Sequence, residues 1–341
     1  MFVVTSGIFP FVLMWALFTA LLEKSKFHGA KVGRAGNPLV DEDGARDESD
    51  FDNFLRELIP LQIPAVYLEG YKSINQQSTK TYWPKNPKAI WSSNAFYTEE
   101  IFKIWAAKKA ESGTPIVIGQ HGGFYGIGSF YMTADHELKL SDYFLSWGST
   151  KWDSSIESEK IIPIGIFKTF KKQIEKKSVL LISSDIDRYS NVIVSFPMSS
   201  QWLYSDENEV DFVSLLPDYI LKDFIFRPYH PFNSQDSWSQ YEKWRERFPK
   251  MKIDSGENSL DHLFLRSKIS ISTWNGTTYL ETMSSNIPTI IFWNPEYFEI
   301  KKSAEKYFDI LKTVGIFHDN PKSAAKHLIQ IWDDIDGWWE R

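Results

Sequence analysis

From Lys88 onward the chain alternates short apolar runs with stretches of helical period. Ala89–Ser92 reads as a strand, Glu99–Ser112 (EEIFKIWAAKKAES) as a helix, and Thr114–Gly119 (TPIVIG) as a strand buried on both faces. Tyr143–Trp147 and Ile161–Ile164 follow as two more strands. After a lysine-rich connector, Lys168–Lys177, the same texture returns. Ser178–Ser183 (SVLLIS) is a strand, Asp211–Leu221 a helix, and Asp223–Arg227 (DFIFR) and Lys268–Thr273 (KISIST) are strands. A helix then starts near Thr277, and Thr289–Trp293 (TIIFW) is the last strand. Strand, helix, strand in repetition is the pattern of parallel βαβ units. The expectation is an α/β fold: an N-terminal region at 1–80, then two doubly wound, Rossmann-like domains at 81–168 and 178–341. Ligands of such sheets sit beyond the carboxyl ends of the strands, so the active site is expected in a cleft that the two domains face.

Two segments depart from this pattern. Gly7–Leu22 (GIFPFVLMWALFTALL) is almost wholly apolar, yet it is shorter than the roughly 20 residues that span hydrocarbon. It carries Pro10, has no basic region before it and no small-residue cleavage site before Lys24, so it reads as a buried helix rather than an anchor or a signal peptide. Residues 35–55 are acidic and aperiodic, as a surface loop is. The abrupt start, and the abrupt end at Trp338-Trp339-Glu340-Arg341, suggest a part of a longer protein.

Composition narrows the function classes. With 341 residues, 43% hydrophobic and 24% charged, the chain is a globular protein long enough for two domains of roughly 150 residues each. The absence of Cys removes thiolate catalysis, Cys-ligated zinc, iron–sulfur clusters and disulfides, and fits a reducing compartment. A net charge of −6 with Lys and Arg spread along the chain argues against nucleic acid as a ligand. The 14 Trp and 15 Tyr suit stacking on sugar rings or bases, although aromatics fill cores more often.

Four stretches carry candidate chemistry. The first, Gly119–Gly128 (GQHGGFYGIG), follows a buried strand, and its glycines allow close backbone approach and leave amide donors for an anionic group. No Gly-Lys-Ser/Thr follows, so it is not a Walker loop, and the Gln-His pair spoils a dinucleotide fingerprint. A structural turn would explain the glycines; it does not explain an ionisable His121 where the sheet meets the cleft. Gln120, Gly122 and Gly123 belong to the same loop. The second is DHELKLSD, where His136, Glu137 and Asp142 could each serve as a general base or simply cap and solvate a helix. The third, Arg227-Pro228-Tyr229-His230-Pro231, offers a guanidinium fork for phosphate or carboxylate and a proline-braced His230. In the fourth, Ser272, Thr273, Asn275, Thr277, Thr278 and Glu281 lie between a strand and a helix. Hydroxyls and amides at a helix start suit a phosphate, and Glu281, one turn on, suits ribose hydroxyls. The competing reading is an ordinary N-cap by Thr277. The seven His are too dispersed for a metal centre, and the Asp-x-Asp pairs are what an acidic chain yields by chance. Neither a metal nor a cofactor is expected.

The stretches GTPIVIGQHGGFYGIG, HELKLSDYFLSWG, IPIG, STWNGTTYLETMSSNIPTIIFWNP, GIFH and WDDIDGWW resemble a bacterial family of surface-polysaccharide (lipopolysaccharide or O-antigen) transferases, from about Pro84 to the C-terminus. The resemblance implies a glycosyltransferase of the GT-B type, with the acceptor on the first domain and a nucleotide-sugar donor on the second. It also implies relatives that start upstream of Met1 and run past Arg341, hence an incomplete first domain. His230-Pro231 is similar to the His-Pro motif of polysialyltransferases, capsular Kdo transferases and CDP-glycerol glycerophosphotransferases, which implies phosphate binding by Arg227 and His230 and nucleotide binding by Glu281, Thr277 and Thr278. The expected activity is metal-independent sugar transfer to a cell-surface glycan or lipid-linked glycan, in the cytoplasm or peripherally at the inner face of the membrane. His121 is the leading base. The rivals are a glycerol- or ribitol-phosphate transferase on the same fold and a non-catalytic scaffold of a polysaccharide synthesis complex.

Overall fold

The computed structural model describes residues 50–148, 158–166, 176–184, 188, 194–228 and 238–341. The apolar run Gly7–Leu22, most of the lysine-rich connector and Tyr229–Pro231, His230 included, lie outside the described residues. Among the described residues no helix is long and apolar enough to cross a membrane. Contacts group the chain into two compact units that meet at Ile116/Val117.

The first unit holds helices α1 (Asp50–Gln62), α2 (Tyr71–Ser78), α3 (Ala95–Thr98) and α4 (Glu100–Glu111) and the short strand β1 (Ile90–Ser92). Helix α4 occupies the span its periodicity predicts, and its inner face buries Phe102, Trp105 and Ala106. Trp83 packs edge-on to Phe102 at 5.6 Å, and Phe96 meets the same ring at 5.0 Å. Lys108, on the same helix, donates to Ser78 Oγ at 2.8 Å and so fastens α4 to the end of α2.

The second unit is a mixed α/β structure with two parallel sheets. The smaller runs β2 (Ile116–Gly119), β3 (Tyr143–Ser146) and β4 (Ile161–Pro163), all parallel, with α5 (Met132–Leu140) between β2 and β3. The larger has six strands: β5 (Ser178–Ile182), β6 (Phe224–Arg227), β7 (Lys252–Ile253), β8 (Ser267–Ser272), β9 (Thr289–Phe292) and β10 (Phe317–His318). Their spatial order is β10-β9-β8-β5-β6-β7, with every pair parallel. This is the doubly wound Rossmann order, and its reversal point lies between β5 and β8. SVLLI and TIIF are buried at every position because helices cover both faces. Those helices include α6 (Gln201–Ser214), α7 (Asp218–Leu221), α8 (Gln240–Arg247), α9 (Leu260–Arg266), α10 (Thr278–Ser284), α11 (Lys302–Thr313), α12 (Pro321–Ile331) and α13 (Ile335–Trp339). Stacked rings knit strands to helices: Phe226 lies flat on Trp244, and Phe212 meets Phe292 at 4.8 Å.

The strands fall within a residue or two of their predicted limits; the helix expected at Asp211–Leu221 does not. Helix α6 starts ten residues earlier, at Gln201, and ends at Ser214, and Pro217 then caps the separate one-turn α7. Proline fixes its own φ and disfavours helix in the residue before it, which breaks the run that hydrophobic spacing alone would continue.

Candidate functional site

Strand β2 ends at Gly119, and the glycine-rich loop leaves from its carboxyl end. Gln120 extends the ladder by one step, its N–H donating to Leu145 O at 2.9 Å. Its side chain is a strut: Oε1 accepts from Trp147 N–H at 2.8 Å while Nε2 donates to Gly122 O at 2.7 Å. The loop then lies directly on the loop that follows β8. A Cβ placed on Gly123 would sit 2.1 Å from Gly276 O and 2.7 Å from its carbonyl carbon, so only glycine allows this approach. Gly123 N–H donates to Thr277 Oγ1 at 3.2 Å. Thr277 is the residue before α10, yet its hydroxyl makes no bond to that helix. The competing reading, an N-cap by the Thr277 side chain, is therefore not what forms; the hydroxyl latches the two loops together.

His121 projects from this latched turn with a quarter of its side chain exposed. Tyr125, one turn on, places its hydroxyl 2.8 Å from His121 Nδ1 and 3.3 Å from Nε2. The same hydroxyl donates to Glu137 Oε2 at 2.7 Å, and Glu137 Oε1 lies 3.6 Å from His121 Nδ1. Glu137 is fully buried on α5. Nearby, burial and then the Glu137 charge push the Tyr131 hydroxyl pKa well above its usual range. The chain Glu137–Tyr125–His121 has a consistent proton assignment. With the phenolic proton directed at Glu137, the Tyr125 oxygen faces the imidazole as an acceptor for a ring N–H. A proton taken up by the imidazole creates an imidazolium facing a buried carboxylate, which stabilises it. That is the arrangement a general base uses.

The other first-half candidates are placed elsewhere. His136 precedes Glu137 on α5, about 100° around the helix from it. Asp142 is exposed at the amino end of β3, level with Ile116 by the strand register and roughly 15 Å along the sheet from His121.

Beyond the larger sheet, Ser272, Thr273 and Asn275 are all buried, and Thr278 is nearly so. Ser272 Oγ donates to Trp274 O at 3.5 Å. Asn275 Oδ1 accepts from Tyr279 Oη at 3.1 Å, while its Nδ2 is buried without a hydrogen-bond partner. Glu281 sits one turn into α10, partly buried. Arg227 closes β6, and its Nη1 donates to the buried Asp254 and, at 3.4 Å, to Asn258 O. Burial would raise the Asp254 pKa, but bonds from Asn258, Gly256 N–H and Arg227 outweigh it and hold the carboxyl below its usual range. Part of the Arg227 fork is therefore committed to an internal carboxylate. Among the described residues no group of three or more His, Asp and Glu side chains is placed to hold a metal ion.

Two residues that sequence reasoning missed complete the picture. Tyr125 lies inside the glycine-rich motif, and its spacing of four from His121 is the available signal. Glu209 is 2% exposed on α6 and accepts from Thr273 Oγ1. Its signal is that Trp202, Asp206, Glu209 and Val213 share one helical face, so two acids interrupt an otherwise apolar stripe.

Among solved structures, MurG of Acinetobacter baumannii is similar over 80% of this chain and 71% of its own, with 8% identity and a TM-score of 0.40. An α,α-trehalose-phosphate synthase (UDP-forming) from Burkholderia vietnamiensis is similar over 86% of this chain and 79% of its own, with 12% identity and a TM-score of 0.41. For OtsA in its apo form the shares are 84% and 79%, the identity 11% and the TM-score 0.40. No curated protein matches the chain. The sequence pattern of the LIC12162 family transferases matches residues 31–341, nearly the whole chain, and the protein belongs to that family of transferases.

Proposed function

We propose that the protein is a metal-independent glycosyltransferase of the GT-B type, which moves a sugar from a nucleotide-activated donor to a cell-surface polysaccharide or lipid-linked glycan. The observation that carries this reading is the Glu137–Tyr125–His121 chain, held at the carboxyl end of β2 by the latch of Gly123 onto the loop after β8. Membership of a transferase family supports it. In the proposed reaction an acceptor hydroxyl oxygen attacks the anomeric carbon of the donor sugar. Its proton passes to the imidazole of His121, the bond from the anomeric carbon to the phosphate oxygen breaks, and the nucleotide leaves with that electron pair. Glu137 acts through Tyr125 by stabilising the imidazolium. The nucleotide occupies the crevice where the larger sheet reverses, with Glu281 toward the ribose and Asn275 Nδ2 as an unspent donor. In this reading Arg227 and His230 bind the donor phosphate. The enzyme works at the inner face of the membrane, where such donors are supplied.

A thermal-shift screen of CMP, CDP, UDP, GDP and dTDP sugars tests the reading. A ligand at about 100 times its dissociation constant stabilises the fold by about 2.7 kcal/mol, enough to move the transition by several degrees. One nucleotide class should do this and be released as free nucleotide on incubation with acceptor glycan; no shift with any of them would contradict the proposal. Release of CMP together with transfer of a phosphate would mark a glycerol- or ribitol-phosphate transferase instead.

A further inference from the structure

Helix α6 carries two acidic side chains into the interior. Asp206 and Glu209 are 7% and 2% exposed. A carboxylate taken out of water costs several kcal/mol unless its oxygens are bonded, so the donors it meets define why it is there. Asp206 Oδ1 accepts from Trp244 Nε1 at 3.0 Å and from Gln240 Nε2 at 3.3 Å, contacts among core helices. Glu209 is different. Its Oε1 accepts from Ser183 Oγ at 2.8 Å and also from Thr273 Oγ1, while Oε2 accepts from Gln240 Nε2 at 3.3 Å. Ser183 is the first residue past β5 and Thr273 the first past β8. Those two strands are the neighbours between which the sheet order reverses. One carboxylate oxygen thus spans the mouth of the crevice and joins its two lips. The Thr273 lip runs on through Asn275 and Gly276 to Thr277, the residue on which the His121 loop is latched.

We propose that Glu209 is a positioning residue: it ties the end of β5 to the end of β8 and fixes the Thr273–Thr277 loop in the conformation that meets both the donor and the His121 loop. The donor half of this proposal rests on the glycosyltransferase reading; the tie itself does not. A carboxylate suits the task because a single oxygen accepts two hydroxyls with no proton of its own to direct, and burial in a low dielectric strengthens both bonds. A glutamine at position 209 has nearly the same shape and keeps one oxygen to accept from Ser183 and Thr273.

Amide hydrogen exchange on the full chain, as wild type, Glu209→Ala and Glu209→Gln, tests the tie. In Glu209→Ala the amides of Ser183–Ser184 and of Thr273–Thr278 should exchange at least ~10-fold faster, a local opening beyond any change in the interior of β5 and β9, and Glu209→Gln should restore most of the protection. Exchange that is unchanged, or that rises equally along the chain, overturns the proposal. If Glu209→Ala does not fold, Thr273→Val removes one tether at nearly constant shape and should show the same local pattern. Titration with UDP, CDP and GDP is the second readout: whichever binds wild type should bind Glu209→Ala at least ~10-fold more weakly and Glu209→Gln nearly normally. Wild type that binds none of the three contradicts the donor reading and leaves the tie to be decided by exchange. Normal nucleotide affinity in a folded Glu209→Ala variant contradicts the positioning role.

Discussion

Replacing Gly123 by alanine should damage the protein far more than the same change one residue earlier. The new methyl carbon of Gly123→Ala would lie 2.1 Å from Gly276 O, 2.7 Å from its carbonyl carbon and 2.9 Å from Leu280 Cδ1. Carbon contacts are comfortable at about 3.5 Å or more, so the two loops must part by more than about 1 Å. Two of the three opposing atoms are backbone, which cannot rotate aside. Overpacking of this kind costs about 1–3 kcal/mol, and the Gly123 N–H bond to Thr277 Oγ1, lost as the loops part, adds about 1 kcal/mol. The sum, roughly 2–4 kcal/mol, is a large share of a typical 5–15 kcal/mol stability. Gly122→Ala is the internal control, because its Cβ meets nothing nearer than Thr277 Oγ1 at 3.5 Å and should change stability by no more than about 0.5 kcal/mol. Urea unfolding of both variants measures the difference. If Gly123→Ala retains enough fold to assay, a shift of about 1 Å in the His121 loop should lower turnover by about 100-fold. Equal stability of the two variants would refute the close docking of the loops.

Tyr125→Phe should cost about 1–3 kcal/mol by denaturant unfolding, because it leaves the fully buried Glu137 without its hydroxyl donor, and should lower kcat with donor affinity unchanged. The imidazole of His318 is pushed down to about 4, chiefly by burial, and its folded pKa therefore lies below the unfolded 6.5. The unfolded chain binds the extra proton, so the contribution is whole above pH 6.5 and is lost as pH falls toward 4. The full shift corresponds to about 3 kcal/mol, reduced to about 2 by partial exposure, and Tm measured across that window should fall less steeply in His318→Gln. Asp254→Asn should remove the charge that holds Arg227 and destabilise the protein by about 2–4 kcal/mol; unchanged urea unfolding would mean the pair is incidental.

Much of this architecture is legible in the sequence because parallel strands buried on both faces leave continuous apolar runs. SVLLI and TIIF are such runs, and set between helical stretches they point to the α/β class. Strands β7 and β10 have two residues each and leave no such run, so the Rossmann order appears only in the structure. The glycine-rich turn and the stretch from Ser272 to Glu281 stand out locally, but their latch joins residues 154 positions apart and no local pattern predicts it. Nor does spacing show that Thr277 Oγ1 accepts from Gly123 N–H, or that Arg227 faces Asp254 across a 27-residue interval. His121 and Glu137 both carry the chemistry expected of a base, and it takes the helical turn of α5 beneath the loop to bring them within 3.6 Å. Asp142 carries the same chemistry and falls at the other end of the strand, since residue type says nothing about which end of a sheet a side chain occupies.

Whether His121 takes the acceptor proton is decided by the steady-state kinetics of His121→Ala, with the nucleotide sugar that stabilises wild type as donor. The variant should fold, with kcat roughly 100-fold to 10,000-fold lower and donor affinity unchanged, because the lost group acts in the transition state. A folded His121→Ala protein that turns over at the wild-type rate would contradict that role.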